Sequence, residues 1–232
     1  MGAERIRQIV MSLKTFSHLN ETEQKQVDLH EGIESALLLL QHRLQANGDR
    51  PTIQVLKTYG NLPLVECYAG QMNQVFLNIL DNAIDAFGEE ASEEASERAS
   101  EKASEKASEK ASEKASEKAR EETSESLGTG AIAAEAQKNS VVPQIHIKTE
   151  FVHHAVRIGI FDNGCGISPE AQSHIFDPFF TTKPVGHGTG LGLSISHQVV
   201  VEKHHGKITC CSHLGQGSEF WIEIPVQPQE PD

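Results

Sequence analysis

Gln71-Met72-Asn73-Gln74-Val75-Phe76-Leu77-Asn78-Ile79-Leu80-Asp81-Asn82-Ala83-Ile84-Asp85-Ala86-Phe87 is the most regular stretch of the chain. Met72, Val75, Phe76, Ile79, Leu80, Ala83, Ile84 and Phe87 recur at i, i+3, i+4 and i+7, so the spacing predicts a helix with one apolar stripe. Its other face carries Gln71, Asn78, Asn82 and Asp85. Asn78 and Asn82 are one helical turn apart and share a side. An amide oxygen is a neutral hard ligand, suited to a Mg²⁺ that keeps most of its waters and its phosphate oxygens. Read alone, two such amides are an ordinary solvated polar face.

Upstream, residues 4–19 carry a helical stripe of Ile6, Ile9, Val10, Leu13 and Phe16, which a lone helix cannot bury by itself. Asp28 is a candidate cap for a second helix with Ile33, Leu37, Leu40 and Leu44 on one face, stopped by Asn47-Gly48-Asp49. Residues 52–59 alternate as a strand. Gly60-Asn61-Leu62-Pro63 is a turn, and residues 64–67 form a short second strand.

Downstream the composition changes. Residues 91–118 repeat a four-residue unit, ASEE, ASER and then ASEK. A period of four overshoots the helical turn, so the alanine stripe winds around and faces no single partner. The expectation is a disordered or transiently helical insertion without a core. Residues 89–126 contribute −6 of the chain's net −13. This acidic balance argues against non-specific nucleic-acid binding, which needs a basic surface. No apolar run is long enough to span a membrane, and the N-terminus shows neither a signal-peptide core nor a myristoylation pattern. Cys67, Cys165, Cys210 and Cys211 form no CxxC pair and read as reduced thiols of a cytoplasmic protein.

Order returns after Pro143. Residues 144–152 and 155–162 read as strands joined by a tight turn at His153-His154. Asn163-Gly164-Cys165-Gly166 is a turn, and Ser168-Pro169-Glu170 starts a short helix. Residues 176–190 read as a long loop and 191–203 as a helix. Residues 206–212 and 218–225 make a final pair of strands. The element order predicts an α+β fold: a mainly antiparallel sheet with helices on one face.

Two further segments invite chemistry. Asp162 stands at the end of a buried strand, where its carboxylate can accept from an adenine amino group, and the following glycines permit a close backbone approach. Gly188-Thr189-Gly190-Leu191-Gly192-Leu193-Ser194 runs into a helix, where free backbone N–H groups suit phosphate. It follows no strand and lacks GK[ST], so it is neither a Rossmann fingerprint nor a P-loop.

Taken in order, these segments resemble the histidine-kinase ATPase family. Residues 74–83 are similar to its N box, 162–166 to its G1 box and 188–193 to its G2 box. Phe176-Asp177-Pro178-Phe179-Phe180-Thr181-Thr182-Lys183 is similar to the F box, and Gly215-Gln216-Gly217-Ser218-Glu219-Phe220 to the closing motif. The resemblance implies a Bergerat ATP-binding fold, a two-layer α/β sandwich, formed by residues 27–88 and 140–226. Residues 89–139 would be the insertion and 227–232 a tail. It also implies ATP and Mg²⁺ as cofactors. Asn82 would coordinate the metal and Asn78 would assist the phosphates, with Asp85 beside them. Asp162 would bind the adenine amino group, with Gly164, Gly166 and Ile167 lining the base. Residues 177–190 would be a mobile lid that brings Phe179, Thr182, Lys183 and the Gly188, Thr189, Gly190, Leu191, Gly192 and Leu193 backbone to the nucleotide. Asn78 and Lys183 would carry the catalytic roles.

The implied activity is that of a sensor histidine kinase. The γ-phosphate passes to a histidine and then to an aspartate on the receiver domain of a response regulator. Residues 1–26 resemble the second helix of the family's dimerising hairpin. The first helix, with the acceptor histidine, is not recognised, so the reading is the catalytic end of a kinase, cut short or encoded as a fragment. Such a chain would pair through its N-terminal helix or with a partner that supplies the acceptor. His18 and His30 are poorly placed as acceptors, because a nucleophile must reach the γ-phosphate in line. The alternative is a nucleotide-binding regulatory module without autokinase activity. A serine kinase of the anti-sigma type is disfavoured by residues 4–19 and the TTKP segment. A gyrase-type ATPase is disfavoured by Asn78, where that group uses Glu.

Overall fold

The computed structural model describes residues 23–46, 50–88, 142–183 and 188–226. The expected helix at 4–19 with His18, the repeat, the tail and part of the lid lie outside them. The apolar helix forms as α3, Ala69–Asp85, with Met72, Val75, Phe76, Ile79, Leu80, Ala83 and Ile84 all buried. Burial of each large side chain there contributes about 1.5–3 kcal/mol. Ahead of it lie β1 (Lys25–Val27), α1 (Leu29–Leu39), α2 (Gln41–Leu44), β2 (Gln54–Tyr59) and β3 (Val65–Cys67). Asp28 caps α1 by accepting from the His30 N–H. Gly32 lets α1 approach α3 closely: a Cβ there would lie 2.4 Å from Asn73 Oδ1 and 3.1 Å from the Phe76 ring.

After the insertion come β4 (Gln144–Val152), β5 (Ala155–Asp162), the one-turn α4 (Pro169–Gln172), α5 (Gly192–His197), β6 (Lys207–His213) and β7 (Gly217–Pro225). The main sheet runs β2-β4-β5-β7-β6. β2 pairs parallel with β4, and the other pairings are antiparallel. The β4–β5 hairpin turns on His153 and His154, both at positive φ (49° and 63°), as a two-residue turn matching strand twist requires. One face of the sheet supplies Ile145, Ile147, Ile158, Ile160, Phe220, Ile222 and Ile224 to a core shared with α1 and α3. This is a two-layer α+β sandwich, as the element order predicts.

Three local expectations need correction. β1 was not foreseen; Lys25 to Val27 pair antiparallel with β3, outside the main sheet. Three mostly exposed residues carry no readable alternation. The stripe ending at Leu44 is broken at Leu40, where α1 gives way to α2. The helix expected over 191–203 is α-helical only to His197 and continues as a π-helix, Gln198–Lys203. Its anchor is His204, whose Nδ1 lies 2.8 Å from the Val199 carbonyl while Nε2 accepts from the Tyr68 N–H at 3.0 Å.

Candidate nucleotide site

The register places Asp162 in one inward-facing row with Ile145, Ser218 and Ser212 on neighbouring strands. The adjacent rows are apolar, so Asp162 is a carboxylate at the margin of a hydrophobic sheet face. Burial raises its pKa from 3.8 to about 6, against the opposing pull of hydrogen bonds from Gly164 and Ser218. The Gly164 N–H donates to Oδ1 at 2.9 Å and the Ser218 N–H to the same oxygen at 3.3 Å. Ser212 ties this corner together. Its Oγ accepts from the Ile167 N–H at 2.8 Å and lies 3.1 Å from Ser218 Oγ.

The turn after Asp162 docks on the end of α3. The Cys165 N–H donates to the Ala86 carbonyl at 3.0 Å. A Cβ at Gly164 would come within 2.6 Å of Ala86, and at Gly166, whose φ is +73°, within 2.1 Å of the His213 carbonyl. Both glycines therefore serve close packing of the chain on itself. Ile167 is half-buried against the core.

The polar face of α3 collects the remaining segments. Asn78 Nδ2 donates to the Gly192 carbonyl at 2.9 Å and to Ser196 Oγ at 3.2 Å, and its Oδ1 accepts from Gln74 Nε2 at 2.8 Å. Its amide thus tethers the start of α5 to α3. Lys183 Nζ donates to Asn82 Oδ1 at 3.2 Å and pairs with Asp85. Arg43, from α2, pairs with both Asp81 and Asp85. Asn82 and Asp85 are half-buried, as is Lys183. In the loop, Phe179 is 75% exposed and Gly190 packs against its backbone. Thr181 and Thr182 are exposed; Gly188 lies against Thr181 and Lys183, and Thr189 Oγ1 accepts from the Leu191 N–H at 3.4 Å. Leu193 packs on the core.

The structure therefore brings the sequence-predicted residues around the C-terminal half of α3: Asp162 through its turn, Gly192 through Asn78, and Lys183 through Asn82. Sequence reasoning gave no role to Ser212, Ser218 or Arg43. The closing Gly215 to Phe220 motif contained Ser218 but not its link to Asp162. Nothing in the sequence pointed to Arg43.

The Asp162 carboxylate at one end and the Asn78 and Asn82 amides with Lys183 at the other thus lie on one two-layer α+β sandwich. Residues 121–228 match the family described as histidine kinase-, DNA gyrase B- and HSP90-like ATPase. The matched stretch leaves α3 outside. The chain is 28% identical over 228 residues to the signal transduction histidine-protein kinase AtoS of Escherichia coli K12, covering 97% of this chain and 28% of AtoS. The nucleotide-free catalytic domain of histidine kinase ThkA superposes with a TM-score of 0.58 at 25% identity, over 89% of this chain and 98% of that domain. ThkA in complex with the response regulator TrrA aligns at TM-score 0.56 and 23% identity, over 98% of this chain and 49% of that one. This chain thus spans less than a third of the length of AtoS. Over the stretch shared, it is similar to the catalytic domains of histidine kinases. Among the described residues no helix is long and apolar enough to cross a membrane.

Proposed function

We propose that the domain binds ATP–Mg²⁺ and, as the catalytic part of a two-component sensor kinase, transfers the γ-phosphate to a histidine that serves a response-regulator aspartate. The carrying observation is that the other boxes reach the C-terminal half of α3 at Asn78 and Asn82 and the residue that caps it, Ala86. The adenine amino group would donate to Asp162, and the phosphates would lie toward Asn82 and Lys183. Asn78 would act chiefly by fixing the Gly192 end of the loop.

The residues present fit Mg²⁺. Among the described residues no three His, Cys, Asp or Glu side chains converge, so there is no all-protein cage. Asn82 Oδ1 already faces a cation, the Lys183 ammonium. A single hard oxygen donor beside a polyphosphate suits an ion that keeps several waters. Asn82 would hold the ion, whose charge would offset that developing on the phosphates. The protein's own part is positioning: Asp162 orients the base, Lys183 balances the phosphates, and the loop excludes water.

The acceptor is not His30. Its ring stacks on Tyr59 with centroids 4.4 Å apart, and Nε2 lies 2.9 Å from Thr149 Oγ1. A response regulator as downstream partner is supported by the ThkA–TrrA complex of the same fold. The test is calorimetry with ATP–Mg²⁺, followed by γ-labelled ATP with the purified chain. Saturable heat without acid-labile label on the chain is expected. Label on the chain would move the acceptor into it, and absence of heat would end the nucleotide reading.

A further inference from the structure

We propose that Arg43 is a positioning residue of the nucleotide site, acting through Asp85 on Lys183. The inference rests on the ATP reading above and adds a residue that lies outside every recognised box.

Arg43 sits on α2, a one-turn helix that follows α1. Its guanidinium forks across two carboxylates on the polar face of α3, Nη1 to Asp81 and Nη2 to Asp85. Each Nη group holds one carboxylate, and the rigid guanidinium plane fixes the two relative to each other as a lysine ammonium cannot. The turn that carries Arg43 is itself held, because Arg50 Nη2 donates to the Arg43 carbonyl at 2.6 Å and to the Gln45 carbonyl at 3.2 Å. Asp85 then uses its second oxygen, Oδ2, to accept from Lys183, whose ammonium also donates to Asn82 Oδ1. A continuous row therefore runs from Arg43 through Asp85 to Lys183 and Asn82.

Charge counting gives the row a function. Arg43 and Lys183 carry two positive charges, and Asp81 and Asp85 two negative ones. With Arg43 in place, Asp85 is neutralised from behind and Lys183 can be shared with a polyphosphate. Without it, an uncompensated negative charge remains beside the phosphate position, and Asp85 has Lys183 as its remaining partner in the row. Both effects oppose triphosphate binding and neither touches the base, which is held at Asp162.

The experiment compares ATP–Mg²⁺ and adenosine titrations of the full chain, followed by NMR, for wild type, Arg43→Met and Arg43→Met/Asp85→Asn. Arg43→Met is expected to weaken ATP about five- to tenfold, the size of one unbalanced charge at this range, with adenosine affinity unchanged. The double variant, which removes the orphaned charge, is expected to recover most of that loss. Equal weakening of ATP and adenosine would make Arg43 a merely structural residue, and unchanged ATP affinity would remove it from the site. Failure of wild type to bind ATP would instead overturn the nucleotide reading itself.

Discussion

The two ends of the proposed nucleotide site are built on opposite principles. At the base end, Asp162 is buried in a sheet row between Ile145 and Ser218 and fixed by backbone donors. At the phosphate end, Asn82, Asp85, Lys183 and Arg43 are half-buried and held mainly by one another. The first is a preformed acceptor whose cost is desolvation. The second is a set of charges paired with one another, whose partners a bound polyphosphate would exchange. Recognition of a flat neutral base needs fixed geometry, whereas accepting a polyphosphate needs cations that can change partner.

The comparison is broken most directly at its metal end. Asn82→Ala is expected to abolish Mg²⁺-dependent nucleotide binding while leaving adenosine binding in place; calorimetry with ATP, with and without Mg²⁺, reads this. Unchanged ATP affinity would take Asn82 out of the metal role.

At the base end, Asp162→Asn is expected to weaken ATP and adenosine alike, by about ten- to a hundredfold, the range for a lost hydrogen bond to a charged group. The same variant should fold at least as stably near neutral pH. The folded pKa of about 6 lies above the ordinary 3.8, so the contribution of Asp162 to stability is fully present below pH 3.8 and lost as pH rises through about 6. Binding has the opposite sign, because the adenine amine needs the ionised acceptor: affinity should fall as pH drops through about 6. Titrations from pH 5 to 8 would show that inflection in wild type and not in the variant.

A smaller effect is expected at His204, remote from either end of the site. Burial lowers its pKa from 6.5, opposed by its bond to the Val199 carbonyl, so the neutral ring is the folded form. Its contribution is present above pH 6.5 and lost as pH falls, with a slope of up to about 1.4 kcal/mol per pH unit. Urea unfolding of wild type and His204→Gln at pH 7.5 and 5.5 measures it; an identical pH dependence in both would exclude the role. The smallest effect belongs to the repeat. Deleting residues 91–118 should leave ATP affinity within about twofold, since loop length enters closure entropy only slowly. A large loss would give the repeat a part in the site.

Much of the fold was legible because its signals are local. The α3 stripe, the Asp28 cap, the β4–β5 hairpin and the Ser168-Pro169 helix start each depend on residues close in sequence. The candidate residues were legible for the same reason, as short motifs with fixed spacing. β1 was too short to show a period. The π-helical end of α5 is anchored by His204, whose Nε2 reaches the distant Tyr68 N–H. Asn78 resisted reading most. The family resemblance implied a group that assists the phosphates, and the structure adds that its amide ties α5 to α3.

By itself the sequence determined most of the helices and strands, that the layers form an α+β sandwich, and which short motifs are candidates for a magnesium nucleotide. Periodicity and short motifs encode these within a few turns of chain. Only the tertiary structure decided that Asp162 lies beside Ser218 and Ser212, that Asn78 is a tether, and that Arg43 stands behind Asp85 and Lys183. Those relations join residues that are remote along the chain, and they exist only once sheet register and helix packing have fixed where each side chain lies.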